Sequence, residues 1–346
     1  MSMRMITTRD NFNLKDSNTF AMDVSCRRFV EYDRPGDIPA LIASLPAGEP
    51  WMHIGQGSNL LFLSDYPGTV LHSRICHAER EERCGDEVWL RVGSGVRMDT
   101  LARETASEGL WGLELLADIP GEAGSAAVQN VGAYGREAAD IIREVTVYDT
   151  AEGVFRSFSA DDCRYGYRDS VFKRPEAKGR YIVAEVLMAL TRQAPRHFRD
   201  KTLEGRFGGR ADVAPLDVYE AVREIRASKL PDPSEVASAG SFFKNPVVSR
   251  ETADRLRAEF PEMPAFDQDG GVKIPAAWLI DRCGWKGRVM GNVAVWHLQP
   301  LVITNPGRNA SPSEVVDAEK AIMASVSERF GISLTPEVEH IGPFRR

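Results

Sequence analysis

"GQGSNLLF" (residues 55–62) and "IPGEAGSAAVQNVGAYG" (residues 119–135) are the two stretches that decide how this sequence is interpreted. Each places several glycines beside hydroxyl and amide side chains, so that the main chain can approach a ligand closely and offer it N–H donors. A single loop of this kind is equally typical of a turn between two strands. Two in one chain seldom arise together by chance, and we therefore predict that a pyrophosphate-bearing ligand binds to them.

The common dinucleotide and hydrolase motifs do not fit these loops. A doubly wound dinucleotide fold needs GxGxxG, but "GQGSNL" has Leu60 and "GSGVRM" has Met98 where the third glycine should be. The GxSxG elbow of serine hydrolases is absent, because its spacing is lacking at Ser58, Ser94, Ser125 and Ser241. The six histidines form no HExxH or other ligand pair, so no metal site is predicted.

Composition narrows the class of protein. The 346 residues predict two or three domains, and a hydrophobic content of 43% is typical of a globular chain. A net charge of −7 argues against a nucleic-acid-binding surface, which needs clustered Lys and Arg. No apolar run has the length of a signal peptide or a membrane span, so we expect a cytoplasmic protein. Five scattered cysteines without a CxxC pair predict idle thiols in a reducing compartment: Cys26, Cys76, Cys84, Cys163 and Cys283.

Hydrophobic periodicity predicts an α+β chain in three parts, residues 1–74, 75–221 and 222–346. Strands are predicted at "SCRRFVEY", "EVWLRVGSGV", "RYIVAEVLMAL", "GSFFKNPVV" and "ISLTPEVEHIG", with a hairpin turn near Thr150 to Gly153. Helices are predicted at "PGDIPALIASL", "MDTLARETASEGL", "PLDVYEAVREIRASKL" and "SRETADRLRAEF", and in a long final segment with a capping box from Ser311 to Glu314 and a stop at Gly331. Two segments are predicted to be irregular: 119–135, which is poor material for a packed helix, and 191–215, which is polar and glycine-rich and is typical of a mobile loop.

Five stretches together resemble one family. They are "GQGSNLLF", "IPGEAGSAAVQNVGAYG", "YGYRDSVFK", "AGSFFKNPVV" and "LTPEVEHIG". In this order and spacing they are similar to bacterial UDP-N-acetylenolpyruvoylglucosamine reductase in its longer form, from about residue 17 to the C-terminus. The resemblance implies a two-part FAD-binding module of the vanillyl-alcohol-oxidase (PCMH) type, followed by an α+β substrate-binding domain.

The resemblance also implies the ligands. FAD is expected to bind non-covalently, NADPH to act as co-substrate, and the enolpyruvyl group of a UDP-sugar to be reduced to UDP-N-acetylmuramate for peptidoglycan. The expected FAD contacts lie on the two glycine loops: Gly55, Gln56, Gly57, Ser58, Asn59, Ile119, Pro120, Gly121, Gly124, Ser125, Gln129, Asn130, Gly132 and Ala133. We expect the protein to be a monomer and to bind no nucleic acid, membrane or metal.

Three residues are assigned to catalysis by the resemblance. Flavin N5 is expected to give a hydride to the methylene carbon of the enolpyruvyl ether, which leaves negative charge on the adjacent carbon and carboxylate. Arg168 matches the family's catalytic arginine, and its planar fork suits a carboxylate. Ser241 matches the proton donor and Glu337 the catalytic glutamate. A free serine is a poor acid, so Lys244 or Glu337 is expected to tune Ser241 through water.

The expected substrate contacts rest on shorter motifs. Lys229 and Asn245 match positions that hold the diphosphate and uridine, and Gln299 matches another nucleotide contact. Tyr134 is placed at the sugar-nucleotide channel, and Tyr167 beside Arg168. Taken alone, these residues are also typical of a surface lysine, a turn asparagine and packed tyrosines.

One departure from the family concerns the lid. The longer family form has a tyrosine on a mobile loop that closes over the diphosphate, whereas residues 191–215 contain Phe198 and Phe207 and no tyrosine. We therefore expect a lid that works by excluding water.

Two other functions stay open on the sequence alone. A flavin oxidase of the same fold would use oxygen as acceptor and often tethers its flavin through His or Cys, neither of which is evident in the two loops. A non-catalytic sugar-nucleotide sensor would lack a working acid and base.

Overall fold

The structure is a computed structural model that describes residues 6–82, 85–268 and 270–343. Cys84 lies outside the described residues. The cysteines within them are unpaired: Cys26 and Cys163 are buried, Cys283 is half-buried and Cys76 is exposed. No helix within the described ranges is long and apolar enough to cross a membrane.

Helices and strands are interspersed along the whole described chain. The helices are α1 (Ile38–Ser44), α2 (Met98–Ser107), α3 (Ala123–Gln129), α4 (Lys201–Phe207), α5 (Pro215–Ala227), α6 (Arg250–Glu259), α7 (Ala276–Arg282) and α8 (Pro312–Phe330). The strands are β1 (Thr7–Asn13), β2 (Ser25–Tyr32), β3 (Trp51–Ile54), β4 (Leu60–Phe62), β5 (Tyr66–Ser73), β6 (Ala78–Glu82), β7 (Glu87–Gly93), β8 (Gly132–Ala133), β9 (Arg136–Glu137), β10 (Ile142–Asp149), β11 (Val154–Ser159), β12 (Tyr181–Thr191), β13 (Ala237–Ser241), β14 (Val247–Val248), β15 (Phe266–Gln268), β16 (Gly271–Lys273), β17 (Val289–Met290), β18 (Val293–Val295), β19 (Val302–Asn305) and β20 (Glu339–Ile341).

The chain divides into two compact units. The first unit contains the described residues of Met1–Phe12, Cys26–Gln56 and Pro67–Arg226. The second contains those of Asn13–Ser25, Gly57–Tyr66 and Ala227–Arg346. The second unit thus includes two short segments from the N-terminal part of the chain, which no boundary read along the sequence would place there. The boundaries at 74 and 221 stay predictions.

The first unit contains two main sheets. One has the order β1-β2-β5-β3, with β3 parallel to β5. The other is antiparallel, in the order β11-β10-β12-β7-β6. Strand β12, which is mostly buried and apolar apart from Glu185 and its ends, packs against the small helix α3. The first glycine loop begins where β3 ends, at Ile54, and the second follows α2 in the chain.

In the residues that the structure describes, the second unit contains small sheets and the helices α6, α7 and α8. Its sheets have the orders β13-β19-β18-β17, β14-β16-β15 and β20-β4, and only the last pair is parallel. The rings of Phe260, Trp278 and Phe330 pack edge to face or tilted, with centroids 5.4–5.7 Å apart, and so join α6, α7 and α8.

Predictions that depend on local signals are confirmed. Strand β2 covers "SCRRFVEY", and the hairpin of β10 and β11 turns between Asp149 and Val154. Helix α8 begins at the predicted capping box: the Ser311 N–H donates to Glu314 Oε2 at 2.8 Å, and the Glu314 N–H donates to Ser311 Oγ at 3.3 Å. It ends at Gly331 with φ of 68°.

Two predicted strands are wrong in extent. "GSFFKNPVV" is not one strand, since β13 ends at Ser241 and β14 begins only after Pro246. The final strand is also shorter than predicted and begins after Pro336. Proline has no N–H to donate to a ladder, so both segments continue as irregular chain around it.

The prediction that segment 191–215 is irregular is wrong, and the expected phenylalanine lid stays a prediction. Part of segment 191–215 forms α4, which begins at Asp200 because the Asp200 Oδ1 accepts from the Thr202 N–H at 2.9 Å and the Leu203 N–H at 3.1 Å. Phe198 and Phe207 are buried in the core of the first unit, with ring centroids 6.1 Å apart. These rings therefore stabilise the first unit by packing in its core.

Candidate functional site

The two glycine loops of the first unit contact each other. The Gly121 N–H donates to the side-chain Oε1 of Gln56 at 2.7 Å. A Cβ atom on Gly55 would lie only 3.1 Å from Glu122 Oε2 and 3.2 Å from Ser125 Oγ. The predicted cofactor residues Gln56, Gly55, Gly121 and Ser125 are thus brought together in one place, although they are far apart in sequence.

The loop from Ile119 to Ala133 contains a helix that its composition did not predict. Helix α3 begins after Glu122, whose N–H donates to Ser125 Oγ at 3.0 Å, and the prediction that this run is poor material for a packed helix is wrong. The small residues that argued against a helix are what lets it pack. A Cβ on Gly124 would lie 2.8 Å from the Cβ of Ser94, so only glycine allows this approach.

The side-chain amide of Gln129, a predicted FAD contact, has its oxygen bonded within the protein and its nitrogen available to a ligand. Its Oε1 accepts from the Lys173 ammonium at 2.7 Å. Its Nε2 is buried and has no hydrogen-bond partner among the described residues. A buried donor without a partner is costly, so this amide is suited to a ligand acceptor.

Arg168 is anchored to the same loop. Its guanidinium donates to the main-chain oxygen of Gly132, and Glu137 Oε1 lies 3.9 Å from its Nη1. Its own carbonyl oxygen accepts from Lys173 at 3.0 Å, and its φ is 54°. The guanidinium carbon lies 5.2 Å from the centre of the Tyr167 ring, which itself is exposed. The predicted catalytic arginine and two predicted FAD residues, Gly132 and Gln129, therefore form one connected group.

Asn130 has a structural role in this loop, and its predicted contact with FAD stays a prediction. Its side chain is fully buried and donates to Glu137 Oε2 at 2.9 Å and to the Gly166 oxygen at 2.8 Å. Its Oδ1 accepts from the Ala139 N–H at 3.0 Å. These bonds use both amide hydrogens and the amide oxygen, so the Asn130 side chain holds the loop in shape.

Tyr134 lies at the far end of this loop. It is half-buried with φ of 51°, and burial raises the pKa of its hydroxyl, which stays protonated. Ala133 belongs to β8, and Ile119 packs on the first unit's core.

In the second unit, Ser241 and Glu337 lie on adjacent segments. Main-chain bonds join them: the Glu337 N–H donates to the Phe242 oxygen at 2.8 Å, and the Lys244 N–H donates to the Thr335 oxygen at 2.9 Å. Phe242 and Phe243 are buried, whereas Ser241 is exposed at the end of β13. The buried rings fix the segment and leave the serine hydroxyl open to a ligand.

Local strand geometry sets the position of Ser241. It is opposite Val302 of β19, after an irregularity in register that begins at Ser238. Gly240 adopts φ of 70° at that irregularity, a conformation that favours glycine. Ser241 follows this irregularity and is exposed.

Asn59 and Glu337 are joined directly. Asn59 Nδ2 donates to the Glu337 main-chain oxygen at 3.1 Å, and the Asn59 oxygen accepts from the Glu339 N–H at 2.9 Å. Gly57 has φ of 63°, and a Cβ there would lie 2.4 Å from the Ser17 oxygen. Residues Gly57 to Asn59, predicted to bind FAD, therefore also form part of the second unit's structure.

The remaining predicted substrate residues belong to the second unit as well. Asn245 Oδ1 accepts from the Ala276 N–H at 2.9 Å, which fixes the amide and leaves its Nδ2 as a donor. Gln299 Oε1 accepts from the Leu301 N–H at 3.4 Å, in the turn that leads to Val302. Lys229 is exposed.

No metal centre is evident among these groups. Across residues 6–82, 85–268 and 270–343, no three His, Cys, Asp or Glu side chains are arranged to hold a metal ion.

Comparison with known proteins identifies the family. The model of the UDP-N-acetylenolpyruvoylglucosamine reductase C-terminal domain matches residues 232–341, and an FAD binding domain model matches residues 28–159. The reductase of Bacteroides fragilis strain YCH46 is 42% identical over 95% of this chain and 99% of its own. That of Escherichia coli O157:H7 is 41% identical over 96% of each. The chain belongs to the UDP-N-acetylenolpyruvoylglucosamine reductase family.

A solved structure shows the same fold. The UDP-N-acetylenolpyruvylglucosamine reductase of Thermus caldophilus matches with a TM-score of 0.66 at 23% identity, and the match covers 98% of this chain and 99% of that one. The resemblance predicted from five motifs is thus confirmed, as is an FAD-binding module followed by this family's C-terminal domain.

The residues of the first unit fit FAD, which the FAD binding domain match confirms as the predicted cofactor. A long, phosphate-bearing ligand needs close main-chain approach, and glycines on both loops suit this: Gly55 allows the two loops to pack closely, and Gly121 has φ of 143°, which favours glycine. A flavin ring presents carbonyl oxygens and ring nitrogens, for which the buried Gln129 Nε2 is a suitable donor.

Three residues that contact the predicted site could not be recognised as such from the sequence. Lys173 and Glu122 lie inside the family's motifs, but only the fold shows that Lys173 joins Gln129 to Arg168. His72 gave no signal, since a single histidine in an apolar strand is most often a packed residue. It contacts Glu122 in the structure.

Proposed function

We propose that this chain catalyses the NADPH-driven, FAD-dependent reduction of UDP-N-acetylglucosamine enolpyruvate to UDP-N-acetylmuramate, with Arg168, Ser241 and Glu337 as its catalytic residues. Named relatives at 38–42% identity over at least 95% of the chain support the activity. The observation that supports the residue assignment best is the fixed, exposed position of Ser241 on a segment bonded to that of Glu337.

The chemistry requires charge to be stabilised and a proton to be delivered. Bound FAD supplies transfer of a hydride from NADPH to the methylene carbon of the enolpyruvyl ether. Negative charge then develops on the adjacent carbon and its carboxylate. Fixed hydrogen-bond donors lower this barrier because they act where the charge develops and need no reorganisation.

Arg168 is suited to the substrate carboxylate. A guanidinium carries five donors in a planar fork and stays charged at any working pH. The main-chain oxygens of Asn130 and Gly132 accept from its Nη atoms at one side, which orients the fork. We assign it to hold the carboxylate and stabilise the enolate.

Ser241 delivers the proton in this proposal. Its hydroxyl is the polar group of an otherwise apolar "GSFF" run, and no histidine-based triad motif lies nearby in sequence. Glu337 is half-buried on the neighbouring segment and is assigned to support the relay of the proton through water. The Asn59 bond to the Glu337 carbonyl fixes the main chain from which that carboxylate projects.

Substrate grip is assigned to groups whose donors are presented by the fold. Asn245 offers Nδ2 to the nucleotide because its Oδ1 is held by α7. Lys229 offers an exposed ammonium to the diphosphate, and Gln299 a further amide. Tyr134 and Tyr167 supply aromatic surface. The protein is proposed to act as a cytoplasmic monomer.

The test is NADPH oxidation with and without the enolpyruvyl UDP-sugar, for the wild-type protein and Ser241→Ala. We expect strict dependence on that substrate, and a kcat about 10² to 10⁴ times lower in the variant, which is the range of general acid catalysis. Ser313→Ala is the matched control, since Ser313 is an exposed serine of α8.

Other outcomes would overturn the proposal in distinct ways. Oxidation independent of the UDP-sugar, with oxygen as acceptor, would favour an oxidase, as would flavin that stays on the chain after denaturation. Binding of the UDP-sugar without turnover would favour a sensor. A solvent isotope effect that survives in Ser241→Ala would reject Ser241 as the proton donor and leave the reductase activity intact.

A further inference from the structure

His72 lies between two buried carboxylates in the first unit. Its Nε2 is 2.9 Å from Glu122 Oε1, and its Nδ1 is 3.4 Å from Glu31 Oε1. Glu122 is 5% exposed and Glu31 8% exposed, so neither carboxylate is solvated by bulk water. Buried carboxylates need a cation or hydrogen-bond donors, and a protonated imidazole supplies both to both sides.

Glu122 stands at the centre of the predicted FAD-binding loop. It is the residue before α3, and its N–H donates to Ser125 Oγ. Its other carboxylate oxygen faces Gly55, where a Cβ would lie 3.1 Å away. The position of this side chain therefore affects both glycine loops, and its charge lies beside residues that are expected to bind an anionic diphosphate.

We propose that His72 is a positioning residue for FAD: as an imidazolium it neutralises and orients Glu122, and so keeps the two glycine loops in the form that binds the cofactor. The inference rests on the proposed assignment of these loops to FAD. The cofactor's negative phosphates would be repelled by an uncompensated carboxylate at this place.

The surroundings favour charge on His72 in particular. Burial lowers the pKa of His72, but the hydrogen bond and the charge of Glu122, followed by those of Glu31, outweigh it and leave that pKa above its ordinary value. The other histidine nearby stays neutral, because burial first and the charge of His72 second lower the pKa of His53 to about 3. His53 is bonded to the Tyr32 hydroxyl at 2.8 Å.

The other charged groups around His72 determine which carboxylate keeps a cation when His72 loses its proton. Glu31 is also paired with Arg9 at 2.7 Å and lies 3.6 Å from Arg74. Within the part of the chain that the structure describes, Glu122 forms its ion pair with His72. The negative charge of Glu122 also helps to raise the pKa of Tyr32 and of Cys76, after the larger effect of burial. Loss of the His72 proton therefore leaves Glu31 paired with Arg9, whereas Glu122 loses its cation and keeps only the hydrogen bond that its carboxylate accepts from the Ser125 N–H at the start of α3.

The sign of the pH dependence follows. His72 has a pKa raised above about 6.5. It is charged below that raised pKa and loses its charge as pH rises through it. FAD affinity should therefore be full near pH 6 and should fall by about tenfold toward pH 9, the loss expected for one charge-assisted hydrogen bond.

The experiment is titration of FAD into flavin-free protein, followed by flavin fluorescence between pH 6 and pH 9. We expect His72→Gln to bind FAD about tenfold more weakly than wild type at pH 6, with a dissociation constant that no longer changes with pH. Glu122→Gln removes the carboxylate that needs compensation, so it should also flatten the profile, and adding His72→Gln to it should have little further effect.

His77→Gln is the matched control. His77 is an imidazole of the same unit and also lies 2.9 Å from a carboxylate, that of Glu185. This variant should keep the wild-type affinity and the wild-type profile. A merely structural role of His72 would lower the melting temperature without changing the pH profile of FAD binding.

Two results would overturn the inference. One is a His72→Gln protein with wild-type affinity and profile. The other is Glu122→Gln with an unchanged pH dependence, which decides the matter even if His72→Gln does not fold. Failure of wild-type protein to bind FAD at any pH would instead reject the proposed function.

Discussion

Lys173→Met should weaken catalysis although Lys173 was assigned no role from the sequence. Its ammonium donates to Gln129 Oε1 at 2.7 Å and to the Arg168 main-chain oxygen at 3.0 Å. The first bond orients the amide whose Nε2 is available to the flavin. The second holds the left-handed main chain of Arg168, the proposed catalytic arginine. Methionine has a similar length and flexibility but no donor.

The expected size follows from these two bonds. A hydrogen bond to a charged group contributes about 1.5–3 kcal/mol. Lys173 is half-buried, so water can replace part of what is lost, and we count one bond of the two. A loss of about 1.5–3 kcal/mol in the transition state corresponds to a kcat/KM about 10- to 150-fold lower. Lys173→Arg keeps the charge with a different shape and should recover part of this.

Steady-state NADPH oxidation with the enolpyruvyl UDP-sugar measures this effect, and the visible spectrum of the bound flavin reports whether its surroundings change. Lys178→Met is the control, since Lys178 is exposed in the same segment. A Lys173→Met enzyme within twofold of wild type, with an unchanged flavin spectrum, would refute the reasoning. A lower melting temperature alone, with kcat/KM intact, would mean that Lys173 only stabilises the fold.

Two further predictions concern stability. Gly57→Ala should destabilise the protein by about 1–3 kcal/mol more than Gly48→Ala in urea unfolding: both glycines have positive φ, but only at Gly57 would a Cβ meet main chain, 2.4 Å from the Ser17 oxygen. Equal effects would contradict this. The Glu319 hydrogen bond raises the pKa of His340, so that pair stabilises the protein fully below about pH 6.5 and loses its effect as pH rises through the raised pKa. The melting temperature of His340→Gln should therefore lie furthest below wild type near pH 6 and approach it by pH 9, and a constant difference would argue against the pair.

Elements with local signals could be predicted from the sequence, because the residues that specify them are neighbours. Helix α8 contains its own capping box and its own terminal glycine, so its bounds need no tertiary information. The same holds for the turn between β10 and β11.

Helix α3 could not be predicted in this way. Its Ala and Gly residues have no amphipathic pattern, and the helix is stabilised because they allow close packing on Ser94 and on β12. Whether a small residue marks a loop or a tight contact depends on what lies opposite it, and that partner is distant in sequence.

In the candidate site, too, the sequence indicates the proposed catalytic residues but not the groups that position them. The motifs identified Arg168, Ser241 and Glu337 by resemblance, but the groups that hold them come from elsewhere in the chain. Ser241 is fixed through Phe242, which bonds to the Leu301 oxygen and the Glu337 N–H, some 60 and 95 residues further on. Such support leaves no pattern in a single sequence.

Backbone strain at the site shows what this support achieves. Asn130, Tyr134 and Arg168 all have positive φ, of 48°, 51° and 54°, where glycine would be less strained by about 1–2 kcal/mol each. The fold offsets the strain with specific bonds, since the Asn130 amide makes three and the Arg168 carbonyl accepts one from Lys173. Glycine at Asn130 would lose those bonds, and at Arg168 it would lose the guanidinium. The strained conformations of Asn130 and Arg168 are therefore maintained because of their side chains: that of Asn130 shapes the loop, and that of Arg168 is the one we propose to meet the substrate.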